Sequence, residues 1–466
     1  MSCVHEIDIE SCGYVSCISQ LRELPFHFFL AKAPFMLSRM RLDIGWTDIA
    51  SGLAHCALAH DRPRLQQQVE SLWSNQDDTL VCLSVRSGFD LLLKSLQLPK
   101  GSEVLVSALT ISDMVRIIEE NGLVPVPVDL DIQRLAPYTE SILAAITPRT
   151  RVILVAHLFG TRLNLEPILK LADEHKLLVI EDCAQAYVGP SFKGHPQVDV
   201  SMFSFGPIKT ATALCGAILK VNNRELLDQM RSEQAAYPVQ GRGFFFKRLL
   251  KYSSLKIGSI PFVFDCMIQI WRMLGKDYDQ VVSQTVKGFP GPDFFLRIRK
   301  QPSAPVLALL LRRLVKFNAR AIAERTAKGE RLAELIGDVA FRPGETVPRH
   351  SYWVFSVMTN ETDRLIAALR AEGFDAAKGH SLYVVNPPVE RPEAEPVFAR
   401  EARAKIVYLP WFTDFPLSRL QRMAEIVREV CGPQLAQANA WRNRVTASSE
   451  ESNEIDSASS DQTVSM

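Results

Sequence analysis

Between residues 80 and 219 short apolar runs alternate with stretches of helical periodicity, and few architectures accept that rhythm. The runs are 80–85, 104–106, 124–128, 152–156, 177–180, 198–203 and 215–219. They are continuous and rich in β-branched residues rather than alternately polar, so each strand is expected to be buried on both faces. Helices are expected over 90–98, 112–121, 139–145 and 165–175, with Gly122 closing the second by entering the left-handed C-cap without penalty. Helices joining consecutive buried strands imply an α/β fold with a mostly parallel sheet covered on both sides. In such sheets the polar residues just past the strand ends converge on a crevice. Ser87, Asp182 and Ser204 fall at such ends, Gln185 follows soon after, and His157 comes directly after the fourth run.

The remaining segments extend this core. Residues 1–79 read as an N-terminal extension with helices over 48–60 and 63–73, and 80–240 as the large α/β domain. Residues 24–40 are apolar enough to dock on the body or a partner. Residues 241–319 break the rhythm: from Lys247 to Lys316 thirteen Lys or Arg stand against four Asp, interleaved with Phe, Leu, Ile and Trp271. That pattern fits a helical insertion packing on the body or a dimer partner, or a face that lies on a membrane or grips a lipidic substrate. Residues 320–433 read as a small α+β domain, with helices over 320–336, 362–372 and 417–430 and strands over 351–358 and 405–409. Residues 434–466, rich in Ser, Glu and Asp, read as a disordered tail.

Composition excludes several classes. A formal net charge of +1 gives no electrostatic case for nucleic acid. Nine cysteines without a CxxC pair argue for a reducing compartment rather than disulfides or a zinc site, and no metal is expected. His5, Glu6, Asp8 and Glu10 precede any apolar run, unlike a basic secretory leader, and no run of eighteen uncharged apolar residues occurs. A cytoplasmic protein is expected, with peripheral membrane contact through 241–319 as the open alternative.

The chemistry points to Lys209. It follows Ser204 by a short Gly-Pro loop, between two core strands, where a lysine is out of place unless it serves a purpose or reaches solvent. An amine held beside a cofactor can become a covalent catalytic group. Asp182, at the end of an apolar strand, could face a cofactor's ring nitrogen or merely cap a helix. Gln185 and Ser204 suit a ring oxygen and a phosphate, and equally an ordinary loop hydrogen bond. The first-turn amides near Gly88 and Phe89 favour an anion. His157 suits a packed, hydrogen-bonded histidine better than a base.

Taken together these residues resemble the DegT/DnrJ/EryC1/StrS family of pyridoxal-phosphate (PLP) enzymes, the sugar aminotransferases of fold type I. SGFDLLLKSLQLPKGSEVLV is similar to the family's SGTxAL…GDEVI segment, and FSFGPIK to FSFxPxK. The stretch from ILAAITPRTRVILVAHLFG to VIEDCAQAYVG resembles its AITPKT…HLYG…VIEDAAQAHGA. Gly373-Phe374 and IVYLPWF resemble later features. The resemblance implies fold type I with a smaller C-terminal domain, and PLP as cofactor. It implies Lys209 as the Schiff-base lysine, Asp182 at the ring nitrogen and Gln185 at the ring oxygen or face. Ser204 and the amides of Gly88 and Phe89 would then hold the phosphate. It further implies an aminotransferase taking an amino group from an amino acid, glutamate foremost, to a keto substrate. By that analogy the substrate would be a nucleotide-linked keto sugar, while the altered pocket and the basic apolar insertion point to a hydrophobic or lipid-linked keto compound as the alternative. The resemblance implies a homodimer with both chains lining each site.

Three positions depart from the family pattern. Ile111 stands where an aromatic usually covers the ring, Gly206 where His or Tyr is common, and Leu214 in place of the glycine-rich turn after the lysine. The family's GYNYR segment, whose Asn reaches the partner's phosphate, has no clear counterpart. A catalytically weakened relative acting as a structural or membrane-associated partner is therefore the competing reading.

Overall fold

The computed structural model describes residues 35–285, 289, 293–379 and 382–443. Residues 1–34 and 444–466, with most of the apolar N-terminal stretch and of the expected tail, lie outside the described residues. The sequence rhythm becomes one seven-stranded sheet. Its strands are β1 (Thr79–Cys82), β2 (Glu103–Ser107), β3 (Val124–Val128), β4 (Thr150–Ala156), β5 (Leu178–Asp182), β6 (Val200–Ser204) and β7 (Ala217–Val221). Their spatial order is β1-β7-β6-β5-β4-β2-β3. From β6 to β3 every pairing is parallel, whereas β7 runs antiparallel to both β6 and β1. The connection between β6 and β7 holds no helix, so the chain turns back instead of crossing over.

Helices cover both faces: α1 (Trp46–Ala57), α2 (Arg62–Trp73), α3 (Val85–Ser95), α4 (Ser112–Glu120), α5 (Thr139–Ala145), α6 (Glu166–His175) and α7 (Arg224–Ala235). Successive side chains of a strand point to opposite faces. Val104 and Val106 of β2 accordingly join the core under α3, α4 and α7. Leu105 between them joins the core under α5 and α6. This two-sided burial is what the unbroken apolar runs require. One boundary differs. The first crossover helix begins at Val85, not at Asp90, because the Ser84 hydroxyl accepts the Ser87 amide at 3.1 Å and caps it there. Arg86, Ser87, Gly88 and Phe89 therefore form its first turns rather than a loop.

The 241–319 segment is helical: α8 (Arg242–Gly258), α9 (Pro261–Met273), α10 (Tyr278–Thr285), α11 (Phe294–Ile298) and α12 (Ala304–Val315). α8 and α12 pack with α1 and α2 over Val81, Phe203 and Ile218 of the sheet. α9 and α10 share a small separate core with Met36. Beyond them lies a three-stranded antiparallel sheet of β8 (Phe355–Met358), β9 (Ala377–Lys378) and β10 (Ile406–Leu409), in the order β8-β10-β9. It is covered by α13 (Ala319–Ile336), α14 (Thr362–Ala371) and α16 (Leu417–Cys431), with α15 (Val397–Lys405) leading into β10. Residues 351–354, expected to be strand, are not paired as strand and run along the loop after β4 instead. Residues 435–443, read as the start of a structureless tail, are helical. Trp441 packs on Phe341 at 6.0 Å between ring centroids and donates its indole N–H to Glu401 at 2.9 Å, which gives this segment a reason to order.

Candidate active site

The parallel strands deliver their polar residues to one end of the sheet. Asp182 closes β5, Ser204 closes β6 and His157 follows β4. From Ser204 the chain makes a tight turn in which the Lys209 amide donates to the Gly206 carbonyl at 3.1 Å. Thr212 pins the rest of the loop: its hydroxyl donates to the Gly206 carbonyl at 2.6 Å and accepts the Leu214 amide at 2.9 Å. Asp43, just before α1, accepts the Ala211 amide at 2.5 Å. Ala211 and Leu214 both sit in the left-handed region, with φ of 55° and 62°. The lysine is thus presented by a braced loop rather than a loose one.

The electrostatics of Lys209 follow from its place. Burial pushes its amine down to about 8; the Asp182 carboxylate works against that shift and the Arg86 guanidinium adds to it. Asp182 in turn is raised by burial, while the Ala184 amide at 2.9 Å and the charges of Lys209, His157 and Arg86 pull it back. The two groups influence each other, yet no salt bridge joins them among the described residues. Over the lysine lies Trp353, with Lys209 Nζ 4.3 Å from its ring centroid. The indole N–H donates to the Ile208 carbonyl at 3.1 Å, which fixes the ring to the same loop.

Trp353 reaches this point because the 349–354 segment is laced to the loop after β4. The Ser351 amide and hydroxyl both donate to the Gly160 carbonyl, at 2.8 and 3.0 Å, and the Arg162 amide donates to the Arg349 carbonyl at 2.8 Å. Gly160 has φ of 97° and an added Cβ would lie 2.6 Å from the Trp353 nitrogen, so only glycine permits the approach. Arg325 of α13 ties the same parts together from below. It is buried, donates to the Ser351 carbonyl at 2.9 Å and to the Thr210 hydroxyl at 3.4 Å, and is pushed down to about 10 by burial. Beside it His350 is held down to about 4 by burial and by the Arg325 charge, so it is neutral at physiological pH.

The other sequence-expected residues are found in or beside the crevice, with altered duties. Gln185 Oε1 accepts the Phe159 amide at 2.7 Å, leaving the nitrogen end of its amide for a ligand. The Ser204 hydroxyl accepts the Gly206 amide at 3.4 Å. Gly88 and Phe89 do not present free amides. Gly88 donates to the Ser84 carbonyl at 3.0 Å, and Phe89, one residue further into α3, is fully buried. The unsatisfied donors of a capped first turn lie earlier, here at Val85 and Arg86. Gly88 serves packing instead: a Cβ there would come 2.4 Å from Leu219 Cδ1 of β7, so its absence lets α3 lie close on the sheet. Ile111 ends up at the N-cap of α4, packed against the core. The ring over the lysine is Trp353, supplied by the segment just before β8. Sequence reading missed Trp353 and Arg325, since nothing in local spacing links residues 325 and 353 to 209. The side chain of Arg86 was given no role there.

His157, Glu181 and Cys183 place ligand-type atoms within 4.8 Å of one another. Each already has a hydrogen-bond partner. His157 Nε2 lies 2.9 Å from Glu181 Oε2, and its Nδ1 accepts the Leu163 amide at 3.1 Å. Glu181 Oε1 accepts the Ser201 hydroxyl and the His195 amide, both at 2.5 Å. Cys183 shares a hydrogen bond with Glu181. His157 is therefore a buried structural group bracing β4 against β5, as its pattern suggested.

Comparison with known proteins places this geometry. Residues 70–254 match the model of the DegT/DnrJ/EryC1/StrS aminotransferase family. The aminotransferase TlmJ from Streptoalloteichus hindustanus superposes with a TM-score of 0.61 at 17% identity, over 84% of this chain and 98% of that one. A DegT DnrJ EryC1 StrS aminotransferase from Brucella abortus gives 0.60 at 18%, over 83% and 96%. The NtdA protein of Bacillus subtilis, solved with bound cofactor PMP, gives 0.60 at 17%, over 86% of each chain. The architecture is thus that of the fold type I transferases, as the sequence implied.

Proposed function

We propose, from a chain whose residues 70–254 match the DegT/DnrJ/EryC1/StrS aminotransferases, that this protein is a PLP-dependent aminotransferase acting on a keto sugar, with glutamate as the first amino donor to test. The observation that carries the reading is the Lys209 amine, lowered to about 8 in a crevice it shares with Asp182 but not bonded to it. An amine with that value is about one-quarter neutral at pH 7.5, against about 0.1% for an ordinary lysine. The donor set offers a partner for each group of the cofactor, with Arg86 also donating from Nε to the Asp113 carboxylate. Lys209 Nζ would hold the aldehyde carbon, and Asp182 would keep a proton on the ring nitrogen. Gln185 Nε2 would bind the ring oxygen. The Ser204 hydroxyl, the Val85 and Arg86 amides and the Arg86 guanidinium would hold the phosphate. When bound, PLP supplies an aldehyde that condenses with amines and a ring that withdraws electrons from the substrate carbon.

The chain's own residues do the rest. Neutral Lys209 Nζ is the group able to accept the proton from the donor's α-carbon and to return it on the acceptor side. Asp182, raised by burial, would be kept ionised by the positive ring nitrogen it faces and so sustain the electron withdrawal. Trp353 covers the amine and limits its hydration. A homodimer with both copies lining each site belongs to the same proposal, as does an acceptor carried on a nucleotide or a lipid. Purified protein reconstituted with PLP should be yellow, absorbing at roughly 410–430 nm. Glutamate should bleach that band and release 2-oxoglutarate, and Lys209→Ala should lose both responses. A wild-type chain that stays colourless after incubation with excess PLP would end this reading.

A further inference from the structure

The aminotransferase reading leaves the hairpin of α8 and α9 without a task. In α8, Phe246, Leu250 and Ile257 are exposed, and their spacing of four and seven residues puts them on one stripe. In α9, Phe262, Ile270 and Met273, spaced by eight and three residues, fall on one side of the helix, each more than half exposed. Ile260 in the turn between the helices is exposed as well, so both stripes meet at the hairpin's tip. Phe35 stacks edge-on against Phe262 at 5.9 Å between centroids and adds a further exposed ring. Single exposed apolar residues need no explanation, but a contiguous run of them does.

The charge around the stripes says what covers them. Residues 241–276 hold seven Lys or Arg and one acidic residue, Asp265, a net of six positive charges. Asp265 is already engaged, accepting the Met36 amide at 3.2 Å. Lys247, Lys251, Arg272 and Lys276 are exposed and form no salt bridge among the described residues. Lys256 lies 5.7 Å from the exposed Trp46 ring, an arrangement that pairs a cation with an interfacial aromatic. A second copy of the chain is a poor occupant. A two-fold pair would set this patch against itself, six positive charges facing six. An anionic surface with an apolar layer beneath it satisfies both features at once.

We infer that the α8–α9 hairpin rests on an anionic bilayer surface, with Ile257, Ile260 and Phe262 entering the acyl boundary and the lysines meeting lipid headgroups. Among the described residues no helix is long and apolar enough to cross a membrane, so the contact is peripheral. Between the hairpin, α10 and residues 38–40 lies a partly open cavity of about 110 Å³, lined by Met40, Leu255, Phe264, Met267, Trp271 and Val282. That approaches the ~150 Å³ size known to take up benzene, and it gives the end of one acyl chain a place to sit. The site lies outside the Lys209 crevice and does not depend on the reaction assigned there.

The test is co-sedimentation of the full chain with vesicles of phosphatidylcholine containing 30% phosphatidylserine, beside vesicles of phosphatidylcholine alone. Binding to the anionic vesicles is expected, falling several-fold when salt rises from 0.1 to 0.5 M. Lys247→Glu with Lys251→Glu, and separately Ile260→Ser with Phe262→Ser, should each weaken binding about tenfold or more while leaving the thermal transition in place. Absence of sedimentation with either vesicle, or equal sedimentation of wild type and both double variants, overturns the inference. So does a wild-type dimer that Ile260→Ser with Phe262→Ser converts to monomer in light scattering, which would make the patch a subunit interface. Vesicle binding is read without turnover, so its failure and failure of the aminotransferase reading are separate results.

Discussion

Gly160→Ala is the sharpest perturbation of the join between the loop after β4 and the 349–354 segment. The glycine has φ of 97°, and an added Cβ would meet the Trp353 nitrogen at 2.6 Å and the Ser351 Oγ at 2.7 Å. A side chain at that φ costs about 1–2 kcal/mol. Forcing a methyl against backbone that cannot rotate away costs about 1–3 kcal/mol more. Moving the segment also weakens two hydrogen bonds from Ser351 to the Gly160 carbonyl, each worth about 1 kcal/mol. Restricting the unfolded chain returns about 0.4–1 kcal/mol. The net is a loss of about 3–5 kcal/mol, large against the 5–15 kcal/mol of a typical domain. Gly101→Ala is the control, because Gly101 has φ of 80° but nothing within 4 Å of an added Cβ. It should show the backbone strain alone. Thermal unfolding of both variants gives the comparison. The second readout is the pH profile of covalent PLP uptake. Wild type should have its midpoint near 8, set by Lys209. Displacing Trp353 lets water reach the amine, so the Gly160→Ala midpoint should move up toward the ordinary lysine value. A Gly160→Ala protein that melts with Gly101→Ala and keeps the wild-type profile would refute the argument that this contact holds Trp353 over the amine.

Two further predictions concern charge. Arg86→Gln removes a positive neighbour that helps lower Lys209, so the uptake midpoint should rise and the apparent affinity for PLP should fall; a midpoint moving downward would contradict the placement of Arg86. Glu181 is pushed up by burial, but the bonds from His157, Ser201 and the His195 amide outweigh that and hold it below its ordinary value. A carboxylate lowered on folding contributes stability above its unfolded pKa and loses it as the pH falls through the folded one. Glu181→Gln should therefore destabilise the protein by about 1–3 kcal/mol at pH 7 and flatten the decline of stability below about pH 4.5, measured by urea unfolding across pH.

The strand order could not be read from the chain, but the strands themselves could, because burial on both faces leaves unbroken apolar runs that little else produces. The gathering of Asp182, Ser204 and Lys209 at one end of the sheet was legible for a related reason. In a parallel sheet, position just past a strand end is position at the crevice, so a one-dimensional coordinate carries a three-dimensional meaning. Gly88 and Phe89 misled because the cap was placed too late: the hydroxyl of Ser84 competes for the helix start, and that moved the open amides two or three residues upstream.

What the sequence determined by itself was the α/β core and the place of Asp182 and Lys209 at one end of its sheet, since each depends on local pattern or on strand ends. What only the tertiary structure decided was which groups surround that lysine. Trp353 and Arg325 arrive from beyond the inserted helices through a glycine that tolerates a left-handed turn, and the lowered affinity of the amine for protons comes from burial that no local pattern encodes. Short-range preferences fix elements, while desolvation and contact between distant segments exist only once those elements have packed.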